Sequence, residues 1–167
     1  ELFGLGLIPE ARWALDELAG ASVYHIDLII SSDKLKLEGH EVVLYTNQEQ
    51  ITLEQVYFQL FPNATGGTSE ILNVSVDGIA IEPEYQTNNL SAQVELPQLL
   101  EPGQSAEIVL DFVVNIPLDT AGTYGTFGYF DDILMLDEFY PVIPVYDQEG
   151  WHYQVPTNGD LTYLDAS

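Results

Sequence analysis

The chain has no cysteine at all. That excludes disulfides, thiolate metal sites and a thiol nucleophile. Basic residues are nearly absent as well: three Lys or Arg stand against 27 Asp or Glu, for a formal net charge of −24. The three are Arg12, Lys34 and Lys36, so everything after Lys36 is without a fixed cation. Nothing in such a chain can replace the counterions of phosphates, which argues against nucleic acid as a partner. Anionic membrane surfaces repel it for the same reason. No apolar run is long enough for a spanning helix, so membrane insertion is not expected. The opening ELFGLGLI is apolar but short and lacks a basic flank, unlike an intact signal peptide. Glycine-rich phosphate loops are missing too, since Gly4-Leu5-Gly6 has no third glycine and no strand before it. There is no Gly-x-Ser-x-Gly elbow for a serine hydrolase, and no internal repeat.

What is present is a domain-sized chain of 167 residues, large enough for a sizeable core. Its densest feature is Tyr124 to Tyr153, which holds nine of the nineteen aromatic residues. Rings hide large apolar areas, so this stretch is expected in the core or at an interface between domains, with an exposed sugar- or peptide-binding platform as the functional alternative. Its separators predict strand, turn, strand, turn. Pro141 and Pro144 hold Val142 to Tyr146 extended but unsuited to the middle of a sheet. Asp147-Gln148-Glu149-Gly150 reads as a turn.

The remainder reads as short alternating strands. Tyr24, Ile26, Leu28 and Ile30 face one way, His25 and Asp27 the other. A second strand runs from Leu35 to Tyr45, with Gly39 marking a bulge or a close approach. A third spans Ile51 to Phe61, irregular near Gln55, and Pro62 to Ser69 is the longest polar loop. Further strands cover Ile71 to Val76, Ile79 to Ile81 after an Asp77-Gly78 hairpin, and Leu90 to Leu96, closed by Pro97. Ala106 to Ile116 alternates most cleanly. Pro9 to Ala19 is the one expected helix, with Pro9 in its first turn and Gly20 as its stop. The fold class is therefore all-β: an antiparallel sandwich or saddle-shaped sheet of about eight strands with one short N-terminal helix. Residues 1–20 form a helical or linker segment and 21–167 the β-domain. Glu1 in place of an initiating Met suggests a processed or excised piece, and Gly159 to Tyr163 looks like the run-in to a further strand cut at Ser167.

Chemical constellations are few. His40-Glu41-Val42-Val43-Leu44 begins like the zinc-peptidase motif His-Glu-x-x-His, but Leu44 replaces the second ligand and the segment reads as a strand, on which the two positions would not converge. A His25–His40 pair across neighbouring strands is a metal-site alternative to two rim histidines, while His152 lies far along the chain. Asp131, Asp132, Asp137 and Glu138 offer oxygens to a calcium ion, in a spacing unlike any twelve-residue calcium loop; capped turns facing solvent are the plainer reading. With so many acids, pairs suited to glycoside hydrolysis arise by chance and none is singled out. No catalytic, cofactor-binding or metal-ligating residue is assigned. The sequons at Asn63, Asn73 and Asn89 matter only in a eukaryotic secretory host. Few lysines and many Thr, Asn and Gln suit an extracellular or cell-envelope bacterial protein.

Three segments together carry a resemblance. They are Tyr24-His25-Ile26-Asp27-Leu28 with Leu37 to Asn47; Leu96-Pro97 with Leu100-Glu101-Pro102-Gly103; and GTFGYFDDILMLDEFYPVIPVYDQEGWHYQVPTNGD. In order and spacing this resembles the amino-terminal β-domain of zinc aminopeptidases of the aminopeptidase N family, over roughly residues 22 to 165. The resemblance implies a non-catalytic domain that packs on the catalytic domain of the same polypeptide and helps wall the active-site cleft. The parent would remove amino-terminal residues from peptide substrates with zinc-activated water. Zinc and its ligands would belong to the following domain, so no cofactor is implied in this chain. The reading from another class is a free-standing cell-surface sandwich module that binds peptide or glycan.

Overall fold

The computed structural model describes residues 7–13, 15, 18, 20–86, 88–118 and 126–154. Among them are twelve strands, of which eight have four residues or more. They are β1 (Val23–Ile30), β2 (Lys36–Thr46), β3 (Leu53–Gln59), β4 (Thr68–Val76), β5 (Ile79–Ile81), β6 (Glu84–Gln86), β7 (Ser91–Leu100), β8 (Ser105–Asn115), β9 (Phe127–Phe130), β10 (Ile133–Leu136), β11 (Tyr146–Asp147) and β12 (Gly150–Trp151). The main sheet has the order β1-β2-β8-β4-β5 and the second sheet β3-β7-β6, with β9-β10 and β11-β12 as separate hairpins. Every ladder is antiparallel. The inner faces of the two sheets share one hydrophobic cluster, in which Val43, Ile108 and Phe112 of the main sheet join Val56, Phe58 and Val94 of the second. This is the all-β sandwich that the alternation predicts.

Two irregularities correct the strand reading. In β4 the register slips between Ile71 and Asn73. The extra residue, Leu72, is exposed, and Ile71 rejoins Val74 and Val76 in the core. Plain alternation would place Ile71 opposite Val74 and Val76. A bulge admits one extra residue and so reverses the sequence parity of the faces beyond it. In β7 the strand does not end at Pro97 but continues to Leu100, because pairing skips from Gln55↔Glu95 to Leu53↔Leu100. Pro97 falls in the unpaired bulge, where its missing N–H matters least. The irregularity expected near Gln55 is the same feature seen from β3.

The Pro62–Ser69 loop is more built-in than its polarity suggests. Phe61–Asn63 makes a 3₁₀ turn, and Phe61 and Pro62 are buried. The Asn63 amide donates to the carbonyls of Ser69 and Asn89 while its oxygen accepts from the Ser69 N–H. Of the helix expected over Pro9 to Ala19, Leu15 is α-helical. Pro9–Ala11 is a 3₁₀ turn with no buried residue. Turns of the same kind follow at Arg12–Leu15 and Leu15–Leu18. Ile8, Trp13 and Leu18 are exposed, while Ala11 and Leu15 are half-buried. Residues 14, 16, 17 and 19 of that expected helix lie outside the described ones.

Glycine is needed at one place inside β2. Gly39 stands directly opposite Phe112 on β8. A Cβ at Gly39 would fall within the Phe112 ring, so the phenylalanine lies across the glycine and fills its space. The close approach expected at Gly39 is this one.

Candidate functional site

β1 is an edge of the main sheet and β3 an edge of the second. The segment Phe139 to Val145 bridges these two edges. Val142 exchanges two main-chain hydrogen bonds with Gln59 on β3: the Gln59 N–H donates to Val142 O at 2.7 Å and the Val142 N–H to Gln59 O at 3.2 Å. The next N–H, of Ile143, donates to the Tyr24 hydroxyl on β1 at 3.1 Å. Pro141 to Pro144 are all buried. The two prolines explain why this is a strap and not a strand, since each removes a donor from any ladder. Beyond it, the Gln59 amide donates to His152 O.

Aromatic residues line the strap's two ends. Tyr140 meets Tyr24 edge-on, with Phe139 beside it. Trp151 touches Tyr45, Tyr57 and Tyr146, with ring centroids 5.1 to 6.2 Å apart. Tyr153 stacks on Tyr57 at 4.4 Å. Offset and edge contacts of this kind add to what area burial contributes. The aromatic stretch is therefore largely a closing device for the core. Tyr124 lies outside the described residues.

Under the strap sits a carboxyl group that alternation could have placed. Leu37, Gly39, Val43 and Tyr45 of β2 point inward, and Glu41 shares their parity. Its side chain has zero exposure. Ile26 of β1 and Leu110 of β8 flank it. Neither carboxylate oxygen has a hydrogen-bond partner. Burial pushes the Glu41 carboxyl up to about 9, so it is neutral at physiological pH. Nearby Tyr140 is shifted upward by burial first, then by Glu41 and Glu138. Glu138 itself is raised to about 7 by burial and by its neighbour Asp137.

The outer face of the same strand is ordinary by comparison. His40 Nδ1 lies 2.8 Å from Asp111 Oδ1, and the Asn73 amide donates to Asp111 Oδ2 at 3.3 Å. His25 does not meet His40: it pairs in register with Val42 and lies 3.8 Å from Asp27. His152 sits 2.8 Å from Asp147. Asp131 and Asp132 form the β9–β10 turn, both with positive φ, whereas Asp137 and Glu138 follow the opposite end of that hairpin. The four are thus not brought together. Among the described residues no group of three or more His, Asp or Glu side chains is placed to hold a metal. The second sheet carries a part-buried amide row in which Gln86 donates to Gln93 and Gln93 to Gln55, while the Tyr57 hydroxyl accepts from Gln55 and donates to Gln93.

The segments that carry the family resemblance meet in space. Asn47, at the end of β2, is fully buried. Its amide donates to Leu100 O and Ile51 O, both at 2.8 Å, and its main-chain carbonyl accepts from the Gly103 N–H. Tyr24 meets Tyr140 and Ile143, and Tyr45 meets Trp151.

No family model and no curated protein matches the chain. Among solved structures it is similar to an M1 zinc metallopeptidase from Deinococcus radiodurans, at 19% identity and a TM-score of 0.46 over 56% of this chain and 20% of that one. A point mutant of that metallopeptidase bound to a Tyr-ser-ala substrate gives 18% identity and the same TM-score over 57% of this chain. A two-domain M1 zinc metallopeptidase mutant bound to L-arginine gives 20% identity, again at 0.46 over 57%. The chain spans about a fifth of the length of these proteins.

Proposed function

We propose that this chain is a non-catalytic β-domain of an aminopeptidase N-like zinc metallopeptidase. It would pack on the catalytic domain of the same polypeptide and help shape the cleft that admits the amino terminus of a peptide. The observation that carries this reading is the interlocking of the resembling segments. Tyr45-Thr46-Asn47, Leu100 to Gly103 and the aromatic end are far apart in sequence, yet Asn47 binds the second and Tyr45 touches the third. A resemblance that follows the joints of a scaffold is harder to obtain by chance than one scattered over its surface. In this reading the zinc and the catalytic groups belong to the parent's next domain, the substrate is peptide, and the parent works outside the cytoplasm or in the cell envelope.

The test is an assay of the polypeptide encoded by the whole reading frame. We expect it to release amino-terminal residues from aminoacyl reporter substrates, to lose that activity to a zinc chelator, and to regain it with zinc. The 167-residue chain alone should be inactive. A reading frame without a helical His-Glu-x-x-His and a later Glu would sink the proposal and favour a free-standing binding module.

A further inference from the structure

Glu41 stands out because nothing in the aminopeptidase reading uses it. It is an acid on the core face of a central strand, fully enclosed, with neither oxygen bonded. A buried polar group without a partner is rare and persists only where something holds it or employs it. The surroundings contain no cation. On β1 the inward residues are Tyr24 and Ile26; on β8 they are Leu110 and Phe112; on β2 itself they are Gly39 and Val43. From the strap side the titratable groups are Tyr140 and Glu138. His40, Asp27 and Asp111 belong to the opposite face of the sheet, and Arg12, Lys34 and Lys36 are exposed.

We propose that Glu41 is a proton-operated latch beneath the Phe139–Val145 strap: with the carboxyl protonated the strap seats across β1 and β3, and release of that proton to solvent unseats it. The direction follows from which wall is weakest. An ionised carboxylate needs water. Within the main sheet its neighbours lie on β1, β2 and β8, where β2 and β8 are paired in unbroken register from Lys36↔Asn115 to Thr46↔Ser105, and the second sheet faces it across the shared core. The strap, whose Tyr140 lies near Glu41, is held to the edge strands at Gln59 and Tyr24 by three hydrogen bonds. Local opening follows the path with fewest bonds, so water reaches Glu41 by lifting the strap and not by parting the sheet. Lifting it would withdraw Ile143 from the core and loosen the packing of Trp151 on Tyr45 and Tyr57. An aromatic edge of the domain thereby becomes responsive to alkaline pH.

The test is hydrogen exchange of the 167-residue chain from about pH 6 to about pH 10, corrected for the intrinsic exchange rate. Amides of Val142 to Tyr146 are compared with those of β8. In the wild type, strap protection should fall at least about tenfold further than that of β8, while in Glu41→Gln the strap should stay protected throughout. Trp151 emission in a Trp13→Phe background should report the same transition. Equal loss in the strap and β8 of the wild type, which needs no variant to observe, would overturn the latch in favour of global unfolding. So would a strap transition unchanged in Glu41→Gln. A transition abolished by Tyr140→Phe but not by Glu41→Gln would assign it to the phenol. None of these readouts depends on aminopeptidase activity, so the latch and the proposed function stand or fall separately.

Discussion

His40 and Glu41 are neighbours in sequence and opposites in environment. His40 points to solvent and finds Asp111 at 2.8 Å, with both side chains about half exposed. Glu41 points into the core, finds nothing, and is neutral. The pair shows how a chain of net charge −24 builds a sandwich. Among the described residues nearly all its acids lie on surfaces where water solvates them and a partner adds little. The inward acid is tolerated only because it holds its proton. One strand thus has a face that responds weakly to its charges and another that responds strongly. Substitutions on the two faces should differ in size and, with pH, in sign.

The largest effect should come from the inner face at Phe112, whose ring fills the space over Gly39. Phe112→Ala should destabilise by about 3–5 kcal/mol in denaturant melts, the range for a buried aromatic. Gly39→Ala should be strongly destabilising alone, because its new methyl meets that ring, yet nearly neutral beside Phe112→Ala. A double-mutant cycle measures this coupling. Additive effects would mean that the ring does not lie across the glycine.

Glu41→Gln comes next and should stabilise. The folded carboxyl titrates near 9 and an unfolded one near 4.5. Between those values the native state holds a proton that the unfolded chain has released. Stability from this group is therefore full below the unfolded value and declines as pH rises toward the folded one. At neutral pH the difference amounts to roughly 3 kcal/mol, which a neutral amide of the same shape removes, less the desolvation of that amide. Melting temperatures of wild type and variant should converge near pH 4 and separate progressively toward pH 9. Parallel curves would show that Glu41 is already ionised in the fold.

These two positions also mark how far the sequence can be read. The sheet class, the Asp77-Gly78 and Gly150 turns and the long β8 follow from period-two alternation and turn chemistry, both local signals. Gly39 was legible as a close approach, though not what approaches it, because Phe112 is distant in sequence. Glu41 was open to the same parity rule as Leu37 and Val43. Its place beside His40 gives it the look of a metal motif instead, and acidic residues ordinarily face outward. The β4 slip at Leu72 was hidden because a bulge keeps the composition of a strand while changing its phase. The strap was foreseen as extended and unsuited to a central strand. That it would bridge β1 and β3 depends on pairings no local pattern encodes.

The smallest effect belongs to the outer face and runs the other way with pH. Asp111 is held below its ordinary value by the hydrogen bond from His40 first, with Asn73 adding to it. Its contribution is therefore present above about pH 4, where the unfolded carboxyl is ionised, and is lost as pH falls through the depressed folded value. Because the pair is about half exposed, solvent and salt screen it, and Asp111→Asn should change stability at neutral pH by less than about 1 kcal/mol. The diagnostic is the shape of the difference curve. For Asp111→Asn it should flatten only the acid limb and shrink with added salt. For Glu41→Gln it should flatten the fall in stability toward alkaline pH and ignore salt, since a buried neutral group has no charge to screen. If both differences fell on the same limb, the two faces of β2 would not be electrostatically distinct, and the core position of Glu41 would lose its physical meaning.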